Sequence, residues 1–207
     1  MLTIGVESYN SVVMVLSSFS AYCMAMERVA RRLRTVTAAL NDAGIRYAVI
    51  GGNAVAVWVA KVDPAATRTT VDVDLLVDRD DVDRITTALH AIGFERHDLR
   101  RMVLFVDPDE PSRRSGVHLV WSGQKVRPSY AHSAPRLDEA VFDPQGFWVL
   151  DLPALLRMKL TSFRDIDRVH VSDMLRNGLI HDDVRAGLPV DLRERLDSVA
   201  AHLEDDE

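Results

Sequence analysis

Residues 69–76 read Thr-Thr-Val-Asp-Val-Asp-Leu-Leu. In an extended strand alternate side chains share a face. Asp72 and Asp74 therefore point one way, while Val71, Val73 and Leu75 point the other, toward a core. Two neighbouring carboxylates repel each other, which is tolerable where the pair faces water or holds a cation. Upstream, the apolar run from Tyr47 to Ile50 ends in Gly51-Gly52. A glycine pair between a strand and a helix lets a phosphate approach the backbone closely. Acid pair and glycine pair together point to metal-assisted chemistry on a nucleoside triphosphate (NTP). The bland alternatives are a solvated strand and an ordinary tight turn.

Those residues need elements to position them. Met26, Val29, Leu33, Val36 and Leu40 recur at spacings of three and four, which predicts an amphipathic helix ending near Gly44, with Arg28, Arg31, Arg32 and Arg34 on its other faces. Arg46–Ile50 reads as a strand, Asn53–Ala60 as a helix, and Thr69–Val77 as the acid-bearing strand. A helix capped by Asp80 or Asp81 runs to about His90, with Val82, Ile85, Leu89 and Ile92 inward. Phe94–His97, Met102–Val106, Val117–Trp121 and Phe147–Leu150 read as strands, and residues 122–142 as irregular. After Asp151 the pattern turns helical. Asp151 caps one helix with Pro153 in its first turn, residues 163–175 form a second, and residues 191–203 a last one before an acidic tail, Glu204–Glu207. Trp58, Trp121 and Trp148 are expected in the core. The fold class is α/β (α+β): a small mixed twisted sheet flanked by helices, with a C-terminal helical segment.

The chain has 207 residues and a formal charge of −6, which argues against a protein that coats DNA. The charge is uneven: residues 94–136 hold eight basic and five acidic side chains. That local excess suits a triphosphate or an RNA end, or is a solvated face. The single Cys23 excludes an internal disulfide, fits a reducing, cytoplasmic setting, and is expected buried among apolar neighbours. Residues 11–26 are fairly apolar but short and serine-rich for a membrane span, and no basic residue precedes them as a secretory signal requires. Residues 1–22 therefore read as an N-terminal extension that packs loosely, pairs with another copy or precedes the native start. Residues 23–150 form the main domain and residues 151–207 the helical segment.

Gly51-Gly52, an intervening helix and Val71-Asp72-Val73-Asp74-Leu75 together resemble the nucleotidyltransferase fold of the DNA polymerase beta superfamily. The likeness is to its small prokaryotic members, including the abortive-infection toxin-like and minimal nucleotidyltransferases. It spans roughly residues 43–175. Arg157-Met158-Lys159-Leu160 followed by Arg164-Asp165-Ile166-Asp167 is similar to the helical tail of those proteins. The resemblance implies metal-dependent transfer of a nucleoside monophosphate from an NTP to a hydroxyl of RNA, protein or a small molecule. Asp72 and Asp74 would hold Mg²⁺ or Mn²⁺, and Gly51, Gly52 and the backbone at Asn53 would cradle the triphosphate. In the toxin-like form the acceptor is a tRNA 3′ end or a side chain of a partner protein.

The chain departs from the family pattern twice. Where family members place a third carboxylate on a later strand, this sequence has His118. A neutral imidazole there is a proton acceptor, or a ligand that tilts the site from magnesium toward manganese or a softer ion. Asp107, at the end of the preceding strand, is a second candidate for that place. With neither, the protein is an inactive binding or regulatory module of the same fold. The second departure is the 20-residue step from Gly52 to Asp72, whose extra Lys61–Arg68 loop could lie over the nucleotide.

Further nucleotide-binding candidates are Arg68, Lys125, Arg127 and Lys159. Arg68 either contacts phosphate or neutralises Asp72, and the second role is the expected one. Lys125 and Arg127 clamp phosphate or an RNA end, or sit in an exposed basic loop. Lys159, between Met158 and Leu160, snorkels to water or reaches the site. Asp167, His170 and Asp173 read as a solvated helix face with local pairing. No membrane partner is expected, and the oligomeric state is open.

Overall fold

The structure, a computed structural model, describes residues 6–100 and 102–205. Residues 1–5 of the expected extension, Arg101 of the basic stretch and the last two residues of the acidic tail lie outside that range. The helix expected from Met26 extends back to Val6, so the serine-rich run belongs to one 37-residue helix, α1 (Val6–Asp42). At 1.5 Å per residue it is about 55 Å long. Its C-terminal half packs through Leu33, Val36 and Leu40, while Met24 and Met26 are exposed. Cys23 is exposed too, against the burial expected of it. No helix of the described residues is long and apolar enough to cross a membrane.

The chain continues through β1 (Tyr47–Ile50), α2 (Gly51–Ala60), β2 (Val73–Val77), α3 (Val82–Ala91), β3 (Glu95–Leu99), β4 (Met102–Val106), β5 (Val117–Trp121), β6 (Ala140–Asp143) and β7 (Phe147–Leu150). Helices α4 (Leu152–Ser162), α5 (Asp165–Arg176), α6 (Asp182–Ala186) and α7 (Val190–Asp205) complete it. The seven strands form one mixed sheet in the order β3-β4-β5-β2-β1-β7-β6. β2 runs antiparallel to β1 and parallel to β5, and β1 runs parallel to β7.

Register decides which side chains share a face. Tyr47 looks toward α1, since its hydroxyl donates to the Thr37 carbonyl and approaches Asn41 Oδ1 at 3.1 Å. Its partner Val77, with Leu75 and Val73, takes the same face and is fully buried. Ile50, Asp74 and Leu76 take the other face. α1 packs on α3, β2 and β7, while α2 packs on β1, β2, α4 and α5.

Two strand expectations are corrected. β2 begins at Val73 rather than Thr69, because side chains take the carbonyls of the preceding residues: Arg32 donates to Val71 and Asn53 to Asp72. With no sheet pairing there, Val71 points outward and is 62% exposed instead of lining the core. The stretch read as irregular supplies β6, which pairs antiparallel with β7. Trp148 lies on the outer face of that pair, stacked edge-on against Phe142, and not in the core. Ile92, expected inward, is also exposed, at the margin of its helix. The Asp151 cap forms as expected, its carboxylate accepting from the Ala154 amide at 2.7 Å.

Candidate active site

The row Ile50–Asp74–His118 crosses β1, β2 and β5 in register. Chain geometry thus brings three sequence-distant features to one spot. Gly51 follows Ile50 directly and stands beside Asp74. Asp72 lies two residues before Asp74 and on the same face. His118 neighbours Asp74 across the parallel pair. Its Nδ1 is 3.3 Å from Asp74 Oδ1 and 3.6 Å from Asp72 Oδ2. One ligand atom from each of the three residues can be chosen so that all lie within 4.8 Å of one another. The side chains of Asp72 and Asp74 remain 32% and 28% exposed, open to a ligand.

Neighbours fix these groups. Thr70 Oγ1 donates to Asp72 Oδ1 at 2.7 Å, and Asn53 Nδ2 donates to the Asp72 carbonyl at 2.7 Å. Asn53 therefore anchors the acid-bearing segment with its side chain. His118 Nε2 lies 3.1 Å from the Arg113 carbonyl. A carbonyl only accepts, so Nε2 carries the proton and Nδ1 faces the acids. The hydrogen bond to Asp74 raises the imidazole pKa above its ordinary value, against the opposing effect of burial.

The glycines are required by close approach. Gly51 has φ +69°, and a β-carbon on it would lie 2.2 Å from Asp74 Oδ2. A β-carbon on Gly52 would lie 3.1 Å from Thr70 Cβ and 3.7 Å from His170 Cε1. The amino end of α2, whose first amides have no intrahelical acceptor, thus opens beside the acids.

On the helical side, Lys159 is buried and its Nζ lies 3.2 Å from Asp167 Oδ1. Burial lowers its pKa, against the pull of Asp167 and, further off, Asp74. Arg164 Nε donates to Asp167 Oδ2 at 2.7 Å, and its charge also feels Asp74. The expectation of a solvated Asp167/His170/Asp173 face is corrected. All three are buried, because this face of α5 packs toward α2 and α4. Among the described residues, no hydrogen-bond partner reaches the buried His170 Nδ1. Burial, aided by the charge of Lys159, holds that imidazole neutral down to about pH 4.

Arg68 does not neutralise Asp72. Its guanidinium binds Asp173 on α5, with Nε to Oδ2 at 2.6 Å and Nη2 to Oδ1 at 3.1 Å, closing the end of the long loop onto the helical segment. The start of that loop is held at Lys61, which pairs with Asp143 at 3.2 Å. Lys125 and Arg127 lie in an exposed loop after the far end of β5, where Arg127 stacks over Tyr130. Among the described residues no hydrogen bond or ion pair joins either to the acids. Asp107 is no third carboxylate for the site, since it pairs with Arg32 on α1. Two clefts, of about 240 and 390 Å³, are lined by other residues.

Arg164, Thr70, His170 and Arg32 also contribute to the site, and little in the sequence marks them. Arg32 is 2% exposed and joins Asp107, Glu110 and the Val71 carbonyl. It thereby ties α1 both to the acid-bearing segment and to the loop that carries Arg113. One arginine among four on a helix gives no sequence signal of this. Arg164 sits in the quoted helical-tail stretch, which was the available hint.

The chain matches the family profile described as an uncharacterised nucleotidyltransferase over residues 14–142, more than half of its length. A search of curated proteins finds no match. Among solved structures the chain is similar to the antibiotic-resistance factor ANT(2'')-Ia in complex with adenylyl-2''-tobramycin. There the TM-score is 0.54 at 15% identity, covering 83% of this chain and 98% of that one. It is also similar to the Megavirus polyadenylate synthase, with a TM-score of 0.51 at 12% identity, covering 87% of this chain and 39% of that one. Both likenesses show a shared fold.

Proposed function

The chain belongs to the nucleotidyltransferase family that its residues 14–142 match, and from that premise we propose that it moves a nucleoside monophosphate from an NTP to a hydroxyl at Asp72, Asp74 and His118. The observation that carries this reading is the convergence of the three side chains, within 4.8 Å, beside a glycine whose β-carbon the site could not admit. Two carboxylates and an imidazole nitrogen on one open face are a donor set that fits a divalent cation. Held by Asp72, Asp74 and His118, such a cation would supply the positive charge that neutralises the leaving pyrophosphate.

The protein's own groups do the rest. The free amides at the start of α2, from Gly51 to Asn53, receive the polyphosphate. The charges of Lys159 and Arg164, in the helical segment, are felt at Asp74 and offset negative charge brought by the nucleotide. The acceptor hydroxyl attacks the α-phosphorus, giving its proton to a carboxylate oxygen or to water, while the bond to pyrophosphate breaks. A toxin-like reaction on a tRNA 3′ end or a protein side chain is the form that the resemblance of the helical tail supports.

The test incubates α-labelled ATP, GTP, CTP and UTP with total RNA and cell lysate, with Mg²⁺ or Mn²⁺, using wild type and Asp74→Asn. Label transfer by the wild type, lost by about a hundredfold or more in the variant, is the expected result. Thermal stabilisation by an NTP with no transfer would instead identify a binding module. No stabilisation by any NTP would remove the nucleotide from the reading altogether.

A further inference from the structure

The geometry points to His118 Nδ1 as a direct metal ligand, which makes the site take a first-row transition divalent ion, Mn²⁺, in preference to Mg²⁺. This deepens the proposed reaction and rests on that reading of the site. Three observations carry it.

The first is the tautomer. The Arg113 carbonyl, 3.1 Å from Nε2, can only accept, so in the neutral ring, the form a metal binds, the proton sits on Nε2 and Nδ1 is the nitrogen on the side of Asp74 and Asp72. A ligating histidine that gives its other N–H to a backbone carbonyl is held in the orientation a metal requires. The second is spacing. Donors at adjacent corners of an octahedron, each about 2.1 Å from the ion, stand about 3 Å apart. Nδ1 lies 3.3 Å from Asp74 Oδ1 and 3.6 Å from Asp72 Oδ2, and one ligand atom from each residue lies within 4.8 Å of the others, so the three must draw together to share one ion. The third is chemistry. Magnesium favours an all-oxygen shell, whereas a nitrogen donor favours transition ions along their usual affinity order.

The alternative partner for that lone pair is a proton shared with Asp74. The two differ in what they leave behind. A ligating Nδ1 has no capacity left as general base, so the proton of the attacking hydroxyl goes to a carboxylate oxygen or to water. Arg113 then acts through its backbone, and its side chain is free to vary.

The experiment uses the full chain with MnCl₂ and no nucleotide. Electron spin echo modulation should show one directly coupled ¹⁴N in the wild type, and incorporation of ¹⁵N-histidine should convert the signal to ¹⁵N without any substitution. His118→Asp should keep Mn²⁺ while losing the coupling. The ratio of Mn²⁺ to Mg²⁺ affinity by calorimetry, expected at tenfold or more in the wild type, should collapse toward unity. His118→Gln, carrying a neutral side chain, should lose the coupling as well. Bound Mn²⁺ without nitrogen coupling, coupling that survives both substitutions, or no Mn²⁺ binding would each overturn the assignment. Label transfer with no nitrogen coupling sinks the ligand role alone, and coupling with no transfer sinks the reaction alone.

Discussion

At Gly51 a β-carbon would stand 2.2 Å from Asp74 Oδ2, on a backbone with φ +69°. Gly51→Ala therefore meets two obstacles: a left-handed conformation that costs a residue with a side chain about 1–2 kcal/mol, and displacement of the acid itself. The expected outcome is a lowered melting temperature together with loss of label transfer. A variant that transfers at wild-type rate would show that Asp74 has room to move. Thr70 acts at one remove, holding Asp72 Oδ1 through its hydroxyl at 2.7 Å. Thr70→Val keeps the shape and drops the donor. Metal affinity should fall by roughly 10–100-fold, the usual cost of losing a group that orients a ligand, while the melting curve stays near wild type. Calorimetric titration with Mn²⁺ measures it.

At the scale of one element, α5 presents its charged face inward, and this makes its stability depend on pH in two separate windows. The folded state keeps His170 neutral to about pH 4, through burial and the nearby Lys159, whereas the unfolded chain protonates it near pH 6.5. As pH falls from 6.5 to 4 only the unfolded chain takes up that proton, so stability declines, by up to roughly 3 kcal/mol. Asp167 titrates lower. Burial pushes its pKa up, but the Arg164 hydrogen bond and the Lys159 charge outweigh it and hold the carboxyl at about 2. Its contribution is complete above about pH 4 and fades as pH drops toward 2. Denaturant midpoints across pH 4–7 should therefore slope in the wild type and flatten in His170→Leu. An unchanged slope would mean that other groups carry the dependence. Asp167→Asn leaves Lys159 buried without its partner, which should cost about 3–5 kcal/mol.

For the whole molecule, the long α1 works as a strut. Arg32 grips Asp107 and Glu110 from it, Arg28 lies 3.9 Å from Glu110, and Arg31 lies 3.6 Å from Asp109. The segment so held leads to Arg113, whose carbonyl fixes His118. Arg32→Met should destabilise by about 3 kcal/mol, because two carboxylates lose their buried counter-charge. In a chain of this length that is roughly 6–12 °C in melting temperature. If the strut positions the site, transfer measured well below the melting temperature should also lose kcat with little change in the KM for NTP. Destabilisation with unaltered kinetics would confine Arg32 to holding the fold.

The linear sequence already contained the sheet-forming runs, the glycine hinge and the acid pair. These follow from short-range rules: two-residue spacing in extended chain keeps Asp72 close to Asp74, although Asp72 stands just before the strand, and a glycine pair marks where a backbone must turn or come close. The pairing of His118 with the acids was open to inference because its strand was legible, although its facing direction was not. Tertiary structure decided everything that depends on a distant partner. It fixed which nitrogen of His118 faces the acids, through a carbonyl five residues away on a strapped loop. It turned α5 so that Asp167, His170 and Asp173 are buried, sent Arg68 to Asp173 and drew Arg32 inward. A charged side chain reads the same in sequence whether it meets water or a partner 75 residues away, as Arg32 meets Asp107, and only the packed chain supplies that partner.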